Sequence, residues 1–314
     1  MAYKNKDLLG LSNMKKEEIK DILDTAGKMK STLLQGNKRI SCLQGKSMVT
    51  LFYEDSTRTR LSFELAGKYM SANSSHVSAS SSSVQKGETL VDTARTIDRM
   101  GVDFIILRHP MAGAPHLIAK HVQASVINAG DGMNEHPTQA LLDIFTMREK
   151  KGKIKGRKVA IIGDIAHSRV ARSNIWGLMS LGAEVWLSGP PSLIPLEMER
   201  TGAKVTFQVE EALKNADVVM GLRLQRERQA SGFLPGLREY SRYFGINERN
   251  LKYAKPDAII MHPGPLNRGT ELTSEVLASK NAVVEEQVTN GVAVRMALLF
   301  LLAERRKKGK EKKI

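Results

Sequence analysis

Short runs of β-branched and apolar residues recur along the 314-residue chain, each followed by a polar or glycine-containing turn and then a helical pattern. Strands that alternate with helices in this way are typical of parallel sheets, because a parallel connection needs a crossover that a helix supplies. The sequence therefore predicts an α/β fold. The predicted strands are Ser47–Tyr53, Phe104–Leu107, Ser125–Asn128, Lys158–Gly163, Glu184–Ser188, Lys204–Gln208, Asp217–Met220 and Ala258–Met261.

A basic stretch punctuated by glycine, Lys150–Lys158, separates the first three predicted strands from the last five. We place a domain boundary there, which predicts two doubly wound parallel-sheet domains, each with its own core. A helix that begins near Pro137 leads up to this boundary and should bridge the two halves, since proline is accepted in a first helical turn. A last helix is predicted over Gly291–Arg306, where apolar residues recur at helical spacing.

The chain carries 48 Lys and Arg against 33 Asp and Glu, an excess of 15 positive charges. Most of this excess lies in segments 148–158 and 303–314, which hold seven basic residues each against one and two acids. Nucleic-acid binding needs basic residues over one face and, for single strands, aromatic residues, which make up only 5% here. We interpret the segments as a solvated linker and a frayed helical tail and expect no nucleic-acid partner. A basic nucleic-acid-binding protein stays open as the alternative of a different class.

The single cysteine, Cys42, excludes an intramolecular disulfide and a cysteine-based zinc cluster, and it fits a reducing compartment. No apolar segment of the signal-peptide type is visible near the N-terminus. The longest apolar run near the other end, Met296–Ala303, is shorter than the roughly 20 residues of a membrane span. We therefore expect a soluble, cytoplasmic protein with no membrane partner. Because no His, Cys, Asp and Glu set has metal-ligand spacing, we expect no metal and no cofactor.

The stretch Asp55–Arg60 follows the first predicted strand and opens a helix. Its start directs main-chain amides, the positive end of the helix dipole, hydroxyl groups and the Arg58 guanidinium at one point. We interpret it as an anion site, most naturally for phosphate, the alternative being an ordinary helix cap with surface arginines. There is no Gly-x4-Gly-Lys-Ser/Thr loop, so nucleoside triphosphate binding is not indicated. Apolar residues recur every fourth position along the predicted helix, at Leu61, Leu65 and Tyr69.

Further polar clusters follow other predicted strands, at the edge where open α/β sheets bind ligands. Arginines stand in four of these clusters, and because of this shared position we expect them to converge on one cleft between the domains. Arginine suits such a cleft, since it binds phosphate and carboxylate through two parallel hydrogen bonds. The four arginines are Arg58, Arg108, Arg169 and Arg223. His136 also stands at a strand-to-helix turn, although a lone histidine is more often structural. No motif of an activated serine or cysteine is found, so a covalent nucleophile is not expected.

The segment Ser71–Ser83 contains eight serines. We interpret it as a mobile loop, and such a loop beside a ligand site is a candidate lid. Composition alone favours a solvated linker without function.

The chain contains five motifs whose order along the sequence makes it resemble the catalytic chains of the aspartate carbamoyltransferase family. The resemblance covers almost the whole length of the chain. The motifs are Ser56-Thr57-Arg58-Thr59-Arg60, Lys86-Gly87-Glu88-Thr89, Arg108-His109-Pro110, His136-Pro137-Thr138-Gln139-Ala140-Leu141-Leu142-Asp143 and His262-Pro263-Gly264-Pro265-Leu266-Asn267-Arg268-Gly269. Ornithine carbamoyltransferases are similar in the first half, but they carry a His-Cys-Leu-Pro stretch where this chain has His262–Pro265. Enzymes that assemble with regulatory chains have His-Pro-Leu-Pro there, and this departure argues against such a partner.

The resemblance implies transfer of the carbamoyl group of carbamoyl phosphate to the amine of L-aspartate. The products would be N-carbamoyl-L-aspartate and phosphate, in an early step of de novo pyrimidine biosynthesis. The amine would attack directly, with no covalent enzyme intermediate and no cofactor. A carbamoyltransferase for another amine, such as ornithine, stays open as the alternative within the family.

The resemblance also implies roles for individual residues. The catalytic residues would be Arg58, Thr59, Arg108 and His136. Carbamoyl phosphate would be bound by Ser56, Thr57, Arg58, Thr59, Arg108, His136 and Gln139, with the main chain at Pro263 and Gly264. L-Aspartate would be bound by Lys86, Arg169, Arg223 and Gln225. Ser82 and Lys86 would enter the site from a neighbouring subunit.

The same resemblance implies the organisation of the chain and its assembly. A carbamoyl-phosphate-binding domain would comprise residues 1–138 plus 291–314, because the last helix would return to it. An aspartate-binding domain would comprise 152–287, with a bridging helix and linker at 139–151. The protein would be a homotrimer with shared active sites, and higher assembly with regulatory chains or dihydroorotase is left open.

Overall fold

The computed structural model describes residues 3–36, 38–78, 87–225 and 236–311. The chain divides into two compact units. Unit 1 comprises Met1–Leu141 and Thr289–Ile314, and unit 2 comprises Leu142–Val288. Two helices, α5 (Pro137–Lys151) and α11 (Val284–Glu311), pass from one unit into the other.

Unit 1 is built on a four-stranded sheet in the order β2-β1-β3-β4, and every neighbouring pair is parallel. Its strands are β1 (Ser47–Phe52), β2 (Asn73–Ser78), β3 (Phe104–His109) and β4 (Ser125–Asp131). Its helices are α1 (Lys16–Leu34), α2 (Thr57–Tyr69), α3 (Leu90–Arg99), α4 (Ala114–Ala119), the start of α5 and most of α11. The parallel α/β architecture predicted for this half is confirmed.

The interpretation of Ser71–Ser83 as a loop is wrong for its first part. β2 runs parallel to β1 along six residue pairs, from Ser47 opposite Asn73 to Phe52 opposite Ser78. β2 is an edge strand, and most of its side chains are exposed or half-buried. Its place therefore depends on main-chain hydrogen bonds to β1 rather than on apolar side chains, which is why the serine-rich composition did not reveal it. Residues 79–86, where the candidate lid would continue, lie outside the described residues.

Helices pack on both faces of this sheet. Val49 and Leu51 of β1 belong to one apolar cluster with Ala94 of α3 and Ile118 of α4. On the other face Met48 lies against α2, where a Cβ on Gly67 would come within 2.3 Å of the methionine sulfur. The close approach of α2 to β1 thus needs a glycine.

The apolar stripe predicted for α2 is not its buried face. Leu61 is 50% exposed, whereas Phe63 and Ala66 are fully buried. Small residues let this helix come close to the sheet, and a search for large apolar side chains every fourth position overlooks such a face.

Unit 2 contains a five-stranded sheet in the order β7-β6-β5-β8-β9, again with every pair parallel. Its strands are β5 (Lys158–Ile162), β6 (Glu184–Ser188), β7 (Lys204–Thr206), β8 (Val218–Gly221) and β9 (Ile259–Met261). Its helices are the end of α5, α6 (Arg169–Ser180), α7 (Val209–Leu213), α8 (Leu237–Phe244), α9 (Glu248–Leu251), α10 (Ser274–Ala278) and the start of α11. The five predicted strands are confirmed to within one or two residues.

α11 begins seven residues before the predicted helix Gly291–Arg306 and continues five residues past it. Its first turn carries Glu285 and Glu286, which favour a helix start because their charges oppose the helix dipole. The stretch Val284–Lys307 is long and apolar enough in composition to span a membrane, but 72% of its apolar window is buried inside the protein. Burial of this extent is what a core helix requires.

The prediction that 148–158 is a solvated linker is wrong for 148–151, which complete α5, and for Lys158, which begins β5, whereas most of 152–157 is exposed between them. Lys150 pairs with Glu286 at 2.7 Å, and Lys151 is largely buried and binds Asp257. Arg157 reaches the carboxylate of Asp217 at 2.9 Å. The acidic partners are distant in sequence, so the local composition of the run does not reveal them.

Asp217 is a buried acceptor at the start of β8, with only 2% of its surface exposed. Its carboxylate accepts hydrogen bonds from Arg157 (2.9 Å), from Lys255 (2.8 Å) and from the main-chain amide of Lys158 (3.0 Å). Burial alone would raise the pKa of Asp217, but the bonds from Lys255, the Lys158 amide and Arg157 outweigh it. The pKa is therefore below its usual value.

We predict that Asp217→Asn lowers the free energy of unfolding of unit 2 at pH 7 by about 1–3 kcal/mol, because the amide nitrogen would face two cations. A lowered pKa stabilises the folded state above the unfolded value near 4, and this contribution is lost as the pH falls through the folded value. The difference between variant and wild type should therefore shrink below about pH 4. Urea unfolding at pH 7 and pH 3.5 measures both effects.

Asp257→Asn is the matched control, because Asp257 is exposed and its main-chain carbonyl also accepts from Lys151. It should leave the unfolding midpoint nearly unchanged. Equal loss in both variants, or a difference for Asp217→Asn that persists in acid, would contradict the role given to Asp217.

Candidate active site

The start of α2 is the first part of the candidate site in unit 1. β1 ends at Phe52, and Thr57, Arg58 and Thr59 form the first turn of the helix. Ser56 precedes this turn in an extended conformation, and its side chain makes no capping hydrogen bond. At α3, by contrast, Thr89 accepts a hydrogen bond from the helix amide of Asp92. Helix starts bind anions through main-chain amides and the positive end of the helix dipole.

Arg108 lies at the carboxyl end of β3, inside the strand rather than after it, and its side chain is 13% exposed. Its Nε lies 3.3 Å from a carboxylate oxygen of Glu54, and its Nη1 donates to the main-chain carbonyl of Ala129 at 3.3 Å. The register of β3 on β4 shifts between Leu107 and His109, which places Arg108 at an irregularity of the sheet. Glu54 and the carbonyl of Ala129 thus hold the guanidinium from two sides.

His136 directly precedes α5 and is 5% exposed. Its main-chain carbonyl accepts from the amides of Gln139 (3.0 Å) and Ala140 (3.2 Å), which fixes the first turn of α5, where the side chain of Gln139 is buried. Glu135, one residue earlier, is buried, and its carboxylate accepts the main-chain amide of Leu11 at 2.8 Å.

The loop before His136 is organised by Asp131, which is fully buried at the end of β4. Its carboxylate accepts from the main-chain amides of Gly113 (2.8 Å) and Glu135 (3.1 Å) and from the side chains of Asn128 (2.8 Å) and Asn134 (3.0 Å). A carboxylate with four donors fixes the path of the chain from β4 to His136.

His109 follows Arg108 but has a structural role. Its Nδ1 accepts the main-chain amide of Met111 at 3.0 Å, so this nitrogen carries no proton. Burial lowers the pKa of His109 and favours the neutral ring, which packs on Tyr53 with ring centres 4.7 Å apart.

In unit 2, Asp164 joins two of the predicted ligand-binding segments. It follows β5 and is fully buried. One carboxylate oxygen accepts from the main-chain amide (3.1 Å) and the Nδ1 (2.8 Å) of His167, and the other accepts from the main-chain amide of Gln225 (3.3 Å). Arg169 opens α6 two residues after His167 and is 4% exposed.

Arg223 and Gln225 are half-buried in the segment that follows β8. The amide of Leu224 between them donates to Glu271 at 3.0 Å. Glu271 is 2% exposed, and its carboxylate also accepts from the main chain (2.6 Å) and the side chain (2.7 Å) of Asn267. One buried carboxylate thus joins the segment after β8 to the one after β9.

Pro263 and Gly264 follow β9 and are half-buried. Gly264 has a φ of +60°, a conformation that favours glycine, and it is followed by a cis peptide bond to Pro265. The amide of Gly264 donates to Nδ1 of His262 at 2.9 Å.

The structure therefore gathers the predicted residues into two groups. Ser56–Thr59, Arg108, His136 and Gln139 stand at or beyond the carboxyl ends of β1, β3 and β4 in unit 1. Arg169, Arg223, Gln225, Pro263 and Gly264 stand beyond β5, β8 and β9, which are neighbours in the sheet of unit 2. Ser82 and Lys86 lie outside the described residues. That the two groups face one cleft stays a prediction.

Sequence reasoning missed the buried acids that hold these groups in place. Asp131, Asp164 and Glu271 each accept hydrogen bonds from the main chain of a ligand-binding segment, and the half-buried Glu54 forms an ion pair with Arg108. A signal was available for Asp131 and Asp164, since Asp131 ends β4 and Asp164 stands two residues beyond β5. Among the described residues, no group of three or more His, Cys, Asp and Glu side chains is placed to hold a metal ion.

Two family models match the chain. The model described as "Aspartate/ornithine carbamoyltransferase, carbamoyl-P binding domain" matches residues 6–149, and the one described as "Aspartate/ornithine carbamoyltransferase, Asp/Orn binding domain" matches residues 155–302. The aspartate carbamoyltransferase catalytic subunit of Acetivibrio thermocellus is 66% identical over 97% of this chain and 98% of its own. The same subunit of Ruminiclostridium cellulolyticum is 65% identical over 97% of each chain.

Solved structures agree with these matches. The aspartate transcarbamoylase of Trypanosoma cruzi in complex with N-(phosphonacetyl)-L-aspartic acid is 31% identical, with a TM-score of 0.85 over 95% of each chain. The ornithine carbamoyltransferase of Pyrococcus furiosus is 34% identical, with a TM-score of 0.84 over 94% of this chain and 96% of that one. The fold is thus similar to that of enzymes for two different amine substrates.

We predict that unit 1 binds inorganic phosphate at the start of α2 and that Arg58→Ala weakens this binding by about 10- to 100-fold, the value of a charge-assisted hydrogen bond. Arg60→Ala is the matched control, because Arg60 lies on the same helix but binds Nε2 of His76 at 2.9 Å. Calorimetric titration with phosphate should show wild-type affinity for the control. Equal weakening in both variants would indicate a general effect of charge and contradict the site.

Proposed function

The chain belongs to the aspartate/ornithine carbamoyltransferase family, and we propose that it is an aspartate carbamoyltransferase. It transfers the carbamoyl group of carbamoyl phosphate to the amine of L-aspartate, giving N-carbamoyl-L-aspartate and phosphate, in an early step of de novo pyrimidine biosynthesis. The observation that carries this proposal is the 66% identity over nearly the whole chain to an aspartate carbamoyltransferase catalytic subunit.

Ornithine is the second candidate substrate, because the ornithine carbamoyltransferase of P. furiosus has the same fold. Two observations favour aspartate. Three relatives that are 60–66% identical are aspartate carbamoyltransferase catalytic subunits. Arg169 and Arg223 both lie in segments joined by buried carboxylates in unit 2, and two guanidinium groups suit an amino acid with two carboxylates.

In the proposed mechanism carbamoyl phosphate binds first. The hydroxyls and amides of Ser56, Thr57 and Thr59, with Arg58 and Arg108, hold its phosphate at the start of α2. Its carbamoyl group contacts Thr59, Arg108, His136 and Gln139 and the main chain at Pro263 and Gly264. L-Aspartate then binds to Arg169, Arg223 and Gln225.

The neutral amine of aspartate attacks the carbamoyl carbon, and a new C–N bond forms. The carbonyl oxygen becomes an oxyanion, to which Thr59, Arg108 and His136 donate. The C–O bond to phosphate then breaks, and the departing phosphate takes the proton that the amine loses. What supports this role for Arg108 is its fixed guanidinium, held by Glu54 and Ala129, because a donor that is already in place needs no reorganisation when charge develops.

We further propose that the protein is a cytoplasmic homotrimer in which Ser82 and Lys86 of one subunit complete the site of its neighbour, with Lys86 also contacting aspartate. The path of the chain supports only the place of Ser82 and Lys86 near a site at the start of α2, whereas the trimer and its location follow from the resemblance. β2 runs parallel to β1, so its carboxyl end at Ser78 lies at the same sheet edge as the start of α2. Assembly with regulatory chains or dihydroorotase is left open.

We predict that the purified protein forms a ureido product from carbamoyl phosphate and L-aspartate, and at least 100-fold less from L-ornithine, because an unpaired cation in place of the second carboxylate would face arginines. A colorimetric ureido assay between pH 7 and 9 measures both. Turnover with ornithine that equals or exceeds turnover with aspartate would overturn the choice of substrate.

If the sites are shared between subunits, mixtures of Lys86→Ala and His136→Ala chains should recover part of the activity that each lacks alone. In a random trimer, some sites combine the intact Lys86 of one chain with the intact His136 of another. The experiment compares reassembled mixtures with reassembled single variants at equal subunit concentration. Correctly assembled hybrids with no recovered activity would indicate self-contained sites.

A further inference from the structure

A chain of buried polar side chains lies in unit 2 behind the segment after β9. It joins Asp143 of α5, Asn174 of α6 and Gln287 of α11, each no more than 3% exposed. One oxygen of the Asp143 carboxylate accepts from Nε2 of Gln287 at 2.8 Å, and the other accepts from Nδ2 of Asn174 at 2.9 Å. Three helices therefore meet at one carboxylate.

Both ends of the Gln287 side-chain amide form hydrogen bonds. Its nitrogen donates to Asp143, and its oxygen accepts the main-chain amide of His262 at 3.0 Å. The carboxylate of Asp143 accepts only, so it determines which end of the Gln287 amide faces His262. A hydrogen-bonded chain thus runs from α5 through α11 to the first residue after β9.

The chain continues to Gly264. His262 is 1% exposed, and its Nδ1 accepts the amide of Gly264 at 2.9 Å. β9 ends at Met261, so the sheet no longer holds the main chain at this point. Side-chain hydrogen bonds from Gln287 and His262 replace it and fix the two amides on either side of Pro263.

We propose that Gln287, oriented by Asp143, is a positioning residue for the main chain at Pro263 and Gly264. The inference rests on the proposed function, which assigns the carbamoyl group to that main chain and the phosphate group to residues of unit 1. Gln287 touches no substrate in this scheme. It sets the place of the groups that do, and its loss should affect recognition of the carbamoyl group while sparing recognition of phosphate.

The test uses Gln287→Met in the full-length protein, because methionine is close to glutamine in size and makes neither hydrogen bond. The dissociation constants of carbamoyl phosphate and of inorganic phosphate are measured by calorimetry in the absence of aspartate. We expect carbamoyl phosphate to bind about 10- to 100-fold more weakly, the effect of a small misplacement of a binding group, and phosphate to bind within twofold of wild type.

Thr146→Val is the matched control. Thr146 is also fully buried on α5, but its hydroxyl donates to the carbonyl of Leu142 one turn earlier on the same helix. This variant should leave both dissociation constants unchanged. Hydrogen exchange adds a readout that does not depend on any ligand: the amides of His262 and Gly264 should exchange faster in Gln287→Met and at the wild-type rate in Thr146→Val.

If Gln287→Met does not fold, Asp143→Asn decides, since asparagine has the shape of aspartate but can face Gln287 with either end of its amide and so no longer determines how the Gln287 amide is oriented. It should weaken carbamoyl phosphate binding selectively, and less than methionine would. An unchanged ratio of the two dissociation constants in the folded variant overturns the positioning role. Failure of the wild type to bind carbamoyl phosphate overturns the proposed function instead, so the two failures are distinguishable.

Discussion

Main-chain hydrogen bonding between parallel strands is the interaction on which both parts of the candidate site depend. It brings the carboxyl ends of all strands of a sheet to one edge, whatever the distance between them in sequence. In unit 1 the amide of Tyr53, just past β1, donates to the carbonyl of Arg108 at 2.9 Å, 55 residues further along the chain. In unit 2 the pairing of β5 with β8 and of β8 with β9 aligns the segments that carry Arg169, Arg223 and Gly264.

Beyond the last paired residue the sheet no longer determines the path of the chain, and buried carboxylates take over. Asp131 in unit 1 and Asp164, Glu271 and Asp143 in unit 2 are each at most 2% exposed, and each accepts two or more hydrogen bonds. A buried carboxylate without donors would cost several kcal/mol, so these acids stabilise only one arrangement of the surrounding amides. Rigid loops are what electrostatic catalysis requires, because donors must already point to where charge develops.

The sequence was sufficient for features with a local cause. Central strands are apolar because helices cover both faces, and the start of α2 is marked by hydroxyls and arginines within six residues. The sequence was insufficient for features whose cause is a residue far away along the chain. β2 is held at an edge by its neighbour's main chain, Lys150 and Arg157 are fixed by acids more than 50 residues away, and Gly67 of α2 is selected by the sulfur of Met48. The positions of the arginines beyond the strand ends likewise follow from neighbouring residues, whereas Glu271 accepts from the amide of Leu224, 47 residues away, and has no local signal.

The distribution of charge also bears on what kind of anion the chain can bind. Within the basic run of 148–158, Lys150, Lys151 and Arg157 each have an acidic partner in unit 2, so much of the local excess is neutralised by the fold. A polyanion is bound by exposed cations that follow its backbone. Arg108 and Arg169 are instead recessed, with 13% of the Arg108 side chain and 4% of Arg169 exposed, and only a small anion reaches a guanidinium placed in this way. The positions of these arginines therefore favour small phosphate and carboxylate ligands over nucleic acid.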